Sequence, residues 1–337
     1  MAMDACLTAL PSLLDSFRSV APETERSTQI PRWHLERLAE IGFFRLAVPA
    51  RWGGFEAPAW VLWEAAEQMA GACGATHFVQ TQHQGAIGFL LRTQHLKTIE
   101  NNLSDWLEGR RFCGVAFAHL RRPQCPVEVE VSEKFAVYQG SAPWFSGWGV
   151  LDQVVLAGRN QLGLGIYALA GLEQDGLRAG EQLSMAALNA SATVPLEIEQ
   201  LKIPSDQILF TQSAEEMADK DYASLLKHSA SALGLVYEAC RWMQSEPQSI
   251  EVLVRKAAAL RERGLEWQGD EQEALAIRTE SNQLALHAAQ AAILASGGGG
   301  NQIQHPAQRL LRESSFYFLT QLSQALRGAA LKRLVET

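Results

Sequence analysis

The chain has 337 residues, 47% of them hydrophobic, with a net charge of −8 and a pI near 5.6. That is enough apolar material for a large core divided over two or three structural units, so disorder is not the expected state. Short basic pairs such as Arg121-Arg122 do not supply the clustered positive field that nucleic acid or an anionic membrane surface requires, so neither is an expected partner.

Cys6, Cys73, Cys113, Cys125 and Cys240 are odd in number and form no CxxC pair, which argues against a disulfide framework and against a metal site. A reducing cytoplasm fits best. The first residues, MAMDACLTALPSLL, carry an acid and no basic cluster, and no run of roughly 18 apolar residues follows anywhere, so neither secretion nor a membrane span is expected.

From the start to Glu108 the apolar spacing is helical. One amphipathic helix is predicted over Trp33 to Phe44 and another over Trp60 to Met69, with further helices at Gly85 to Arg92 and Thr98 to Leu107. VPARWGGF, with Pro49 and Gly53-Gly54, reads as a turn between the first two. Near Arg111 the texture changes. FCGVAFAH, VEVEV, KFAVYQG, DQVVLAG, LGIYALAG and TVPLEIEQL are short β-rich runs separated by Gly, Pro and Asn, the pattern of a small antiparallel sandwich or barrel. From Ser213 the helical period returns, and four helices are predicted: Ala214 to Met243, Ile250 to Trp267, Glu271 to Ser296 and Pro306 to Leu334. The expected fold is α+β, in three domains: a helical N-terminal domain (1–108), a central antiparallel β-domain (109–212) and a C-terminal four-helix bundle (213–337).

That order, together with motifs at matching places, resembles the acyl-CoA dehydrogenase superfamily. GFFRLAVPARWGGF is similar to the family's helix end, Val-Pro and Gly-Gly turn; YQGSAPWFSGWGVLDQVVLAG to its strand pair bearing a Trp and a hydroxyl residue; LKIPSDQIL to the segment leaving the β-domain; and GGGGNQIQHPAQRLLRES to the Gly-rich turn before the catalytic segment. The resemblance implies FAD held between β-domain and bundle, in a homodimer or homotetramer, with an acyl-CoA as the small-molecule substrate. Trp144 and Ser146 match positions where an indole packs on the flavin ring and a hydroxyl approaches its N5. Gly297 and Gly298 match positions where backbone meets the pyrophosphate of the flavin bound by the neighbouring subunit. Ser323 stands at a further cofactor position.

Three departures limit what carries over. Ala118 replaces the threonine that donates to the flavin pyrimidine edge; the adjacent His119 reads as a solvated strand-end residue. The connection QSEPQSI lacks the arginine of the dinucleotide clamp, and Arg255, Arg261 and Arg263 read as the solvated face of the next helix. Weak FAD binding, FMN or no flavin are the resulting expectations. Finally, counting from Arg312-Glu313 puts Gln321 at the catalytic glutamate position, with Leu322 after it, and a neutral amide cannot abstract a proton. Relatives with the base on the first bundle helix would have it at Ser224, leaving His228 as the nearby titratable group. Two alternatives to an atypical acyl-CoA dehydrogenase therefore stand: a flavin-dependent monooxygenase of the same fold, which needs no such base and for which His83 is a loose match, and a non-catalytic binding or assembly protein.

Overall fold

The computed structural model of the chain describes residues 2–320 and 322–336, less the side chains of 219–223 and 336. The first elements are α1 (Met3–Arg26), α2 (Trp33–Glu40), α3 (Ala59–Ala72), α4 (Gly74–Leu90) and α5 (Leu96–Leu107). The helix expected through Phe44 stops at Glu40, because Gly42 takes a left-handed φ of 80° and turns Phe43 and Phe44 into the core as a 3-10 turn. α4 begins well before the expected Gly85: the segment GATHFVQTQ is polar in composition but buried in the fold, so its inward face carries His77, Gln80 and His83. In the VPARWGGF turn, Gly53 has φ 78°, and a Cβ on Gly54 would lie 1.9 Å from the Val48 carbonyl oxygen, so both glycines are required there.

The sheet comprises β1 (Cys113–Ala116), β2 (Val127–Val131), β3 (Phe135–Phe145), β4 (Gln153–Arg159), β5 (Gly165–Gly171), β6 (Leu177–Ala179), β7 (Val194–Pro204) and β8 (Ile208–Gln212). Its strand order is β6-β7-β3-β2-β4-β5-β8, with β1 also against β4. Pairing is antiparallel except between β1 and β4 and at the single Glu128–Arg159 position of β2 and β4. α4 packs on β1, and one continuous core joins α1 to α5 with the sheet.

The last zone holds α6 (Ala214–Cys240), α7 (Pro247–Leu265), α8 (Glu271–Ala295), α9 (Pro306–Tyr317) and α10 (Gln324–Glu336). α6 to α9 share a second core rich in alanine, which lets α6 and α8 approach closely. Ser213 opens α6 with a reciprocal capping box to Glu216. The single helix expected over Pro306 to Leu334 is broken after Tyr317. Arg278 and Asn282 of α8 donate to the Tyr317 carbonyl, and Arg278 also donates to the Thr320 hydroxyl at 2.8 Å. These bonds satisfy the carbonyl end of α9, and the Ser323 hydroxyl then accepts from Leu326 N–H at 3.1 Å to start α10. Gln321 lies outside the described residues.

Arg261 and Arg263 are not the solvated face expected of them. Arg261 is ion-paired to Glu67 of α3, and Arg263 bridges to Glu273 and Glu280 of α8. Arg255 is exposed. Among the described residues, no helix is long and apolar enough to cross a membrane, and no group of three or more His, Cys, Asp or Glu is placed to hold a metal ion.

Candidate functional site

The end of β3 is shaped by an irregularity in its register against β7 between Ala142 and Phe145. A break of this kind disturbs strict alternation. Here Pro143 is half-buried, Trp144 is 46% exposed and Phe145 returns to the core. Ser146 follows, buried, with its hydroxyl 2.7 Å from that of Thr193, which lies 2.8 Å from the hydroxyl of Ser191. Gly147, at φ 97°, donates to the Ser191 carbonyl at 2.7 Å, and a Cβ there would strike Leu151 and crowd Val79 of α4. An indole left open to solvent thus stands beside a row of three linked hydroxyls, at the end of β3 and near Val79 of α4. A flat apolar ring with placed donors is what a flavin ring system needs, so Trp144 and Ser146 fit it.

Ala118 is exposed in the 3-10 turn after β1 and offers no side-chain donor. His119 is buried, against expectation: its Nε2 hydrogen-bonds the Ala157 carbonyl of β4 at 2.7 Å, and burial lowers its pKa. His83 is likewise committed to the backbone. Its Nδ1 accepts from Cys113 N–H at 3.0 Å and its Nε2 donates to the Trp106 carbonyl at 3.1 Å, while burial lowers its pKa to about 4. It ties α4 to β1 and α5, leaving neither nitrogen for a substrate.

Gly297 to Asn301 form a 3-10 turn past the end of α8. Gly297 needs its left-handed φ of 58°, and the space around Gly297, Gly298 and Gly299 is open, so a phosphate can approach their backbone; Gly300 packs against the Ile293 carbonyl. This turn lies roughly 28 Å along the α8 axis from Arg278, so the glycine turn and the neighbourhood of Gln321 are separate places in one protomer.

His228 belongs to that second place. It is half-buried on α6, and burial together with Arg278 and His77 pushes its pKa well below the ordinary histidine value. Arg278 binds Thr320, so the fold links His228 to Thr320 through Arg278. Leu322 is part-exposed, and Ser323 is the cap of α10. Arg312 pairs with Glu25 of α1, and Glu313 is buried against Arg309 at 3.3 Å, with its pKa raised to about 7 by burial. Both members of that pair hold α9 in place. Arg278, Thr193 and Tyr317 escaped the sequence reading. For Arg278 a signal existed: Arg278, Ser281 and Asn282 interrupt, at helical spacing, the otherwise apolar face of α8 made by Ala274, Ile277, Ala285 and Ala288.

This fold and its layout define a class, and comparison with known proteins agrees. Residues 14–93 match the family model described as acyl-CoA dehydrogenase, N-terminal domain. The chain carries that N-terminal domain and, over its whole length, has the acyl-CoA dehydrogenase fold. Over 72 residues it is 40% identical to the flavin-dependent monooxygenase, oxygenase subunit HsaA, of Rhodococcus jostii, an alignment covering 21% of this chain and 19% of that protein. The chain thus matches about a fifth of the length of the curated relatives. Butyryl-CoA dehydrogenase from Megasphaera elsdenii has the same fold at TM-score 0.82 and 14% identity, covering 99% of both chains. The 3-HSA hydroxylase from Rhodococcus sp. RHA1 superimposes at TM-score 0.76 and 18% identity, covering 97% of this chain and 95% of that one.

Proposed function

We propose that this protein is a flavin-dependent oxidoreductase whose chemistry is that of a monooxygenase rather than removal of a proton α to a thioester. The observation that carries this reading is the loss of the carboxylate base: Gln321 and Ser224 occupy the two positions where the superfamily places it. A neutral amide and a hydroxyl cannot accept the α-proton at neutral pH. The local identity with oxygenase subunits, 33% to 40%, supports the same reading.

Trp144 would stack on the ring system, with Ser146 and Thr193 directing hydroxyls at its edge, and the Gly297 to Gly299 backbone would receive phosphate, from a partner protomer if the assembly is the expected homodimer or homotetramer. When bound and reduced, a flavin supplies the electrons for activating oxygen. Ala118 and the missing arginine remove two polar attachments, each typically about 0.5 to 3 kcal/mol, so FAD should bind weakly for this fold and FMN competes with it. Titrating the purified chain with FAD and FMN tests the cofactor. Micromolar affinity lost on Trp144→Ala, with thermal stability unchanged, is expected. A chain that takes up neither flavin sinks the enzyme reading in favour of a binding or assembly role.

A further inference from the structure

Among the described residues, His34 Nε2, Gln80 Oε1, Arg278 Nε and Ser281 Oγ are buried without a hydrogen-bond partner, and the Tyr317 hydroxyl has only Ser231. All but His34 gather where α4, α6, α8 and α9 meet. Gln80 contacts His77 Nδ1 at 3.2 Å, and His77 Nε2 lies 2.7 Å from the Ser231 hydroxyl. Ser231 neighbours Tyr317, whose own carbonyl Arg278 holds. Ser281 is one turn along α8 on the face of Arg278. His228 lies within electrostatic reach of His77 and Arg278.

Native interiors pair nearly all their buried polar groups, so this concentration of unpaired ones calls for a physical reason. The charge is as unusual as the hydrogen bonding. Of the two buried arginines, Arg309 has Glu313 beside it, but Arg278, fully buried, meets only neutral groups: Asn282 Oδ1 at 2.6 Å, two backbone carbonyls and the Thr320 hydroxyl. A buried cation without an anion is costly unless something supplies the counter-charge. What Arg278 lacks is therefore an acceptor, and a negative one. Arg278 Nε–H and the Ser281 hydroxyl are the donors left over to receive it.

We propose that this cluster is the substrate-recognising wall of the site, and that it takes a small organic molecule through an anionic oxygen, a carboxylate or a phenolate. It adjoins Thr320 through Arg278, and the half-buried Phe78–Phe316 edge pair, ring centroids 5.1 Å apart, joins the same helices α4 and α9. A saturated acyl chain would leave these donors unpaired. The proposal rests on the oxidoreductase reading only in calling the ligand a substrate; the binding itself stands apart from flavin.

The test is calorimetric titration of the flavin-free full chain with benzoate, with 4-nitrophenolate at a pH where it is ionised, and with neutral benzyl alcohol. At least one anion should bind about tenfold or more tightly than the alcohol, a charged hydrogen bond being among the stronger polar contacts; which anion prefers the site identifies carboxylate or phenolate. Ser281→Ala removes a hydroxyl that bonds nothing, so the melting temperature of the ligand-free variant should hold or rise while anion affinity falls about tenfold. Arg278→Met should abolish the preference for the anion. Anions bound no better than benzyl alcohol, or an affinity unmoved by Ser281→Ala, would overturn the proposal. Failure of flavin to bind would leave these titrations unaffected and would count only against the oxidoreductase reading.

Discussion

Arg261 on α7 grips both carboxylate oxygens of Glu67 on α3, through Nε at 3.1 Å and through Nη2, while Trp63 donates its indole N–H to the same carboxylate at 2.8 Å. Glu67 is nearly inaccessible, and burial raises its pKa to about 7 despite the guanidinium. Helices more than 190 positions apart in the chain are thus fastened by a charge that has no other counter-ion among the described residues. Arg261→Met should cost about 3 kcal/mol in urea denaturation, because it strands a buried carboxylate. Adding Glu67→Gln should recover about 1 to 2 kcal/mol, since the amide still accepts from Trp63 without carrying charge. Additive losses in the double variant would show that the pair is not coupled.

Gly234 on α6 sits where a Cβ would come within 2.1 Å of the Glu67 carbonyl oxygen, whereas Gly88, on the exposed side of α4, has open space around it. Alanine should therefore act in opposite directions at the two positions. Gly234→Ala is expected to destabilise by about 3 kcal/mol or more, as α3 must back away. Gly88→Ala should stabilise by roughly 0.5 to 1 kcal/mol by restricting the unfolded chain. Thermal melts of the two variants against the parent decide both.

Stability should fall as pH drops from about 6.5 to about 4. Burial lowers His34, His77 and His83 to about 4 each, so over that interval the unfolded chain binds protons that the folded chain refuses, and each group withdraws on the order of 3 kcal/mol. Glu67 and Glu313, raised to about 7, act oppositely: the folded chain keeps their protons while the unfolded chain releases them above its carboxylate pKa, so they favour folding at the acid end. Three shifts outweigh two of similar size, and His119 and His228 add to the histidine side. Urea midpoints measured across this range should decline with acidity; a flat profile would mean that the histidines are not buried neutral.

With flavin bound, the protein should not reduce it on anaerobic mixing with short-, medium- or long-chain acyl-CoAs, because positioned general-base catalysis contributes about 10² to 10⁴ in rate and Gln321 supplies none. Gln321→Glu alone should give little activity, and Gln321→Glu with Leu322→Gly more, as glycine makes room for a thioester. Rapid bleaching by the unmodified protein would identify another base, with His228 the first to substitute.

The order of helices, sheet and helices was legible because hydrophobic period depends on local sequence: the switches near Arg111 and Ser213 are visible in one chain. What the period could not reveal was which polar residues face inward. His119 read as solvated yet binds a β4 carbonyl, His83 read as available yet spends both nitrogens on backbone, and Arg261 read as surface yet pairs across to α3. Each was decided by a partner distant in sequence, and polar burial is tolerated only where such a partner exists. The break after Tyr317 has the same origin: the local sequence of α9 and α10 favours one continuous helix, and Arg278, brought in from α8 by the packing of the bundle, takes up the carbonyls that end it.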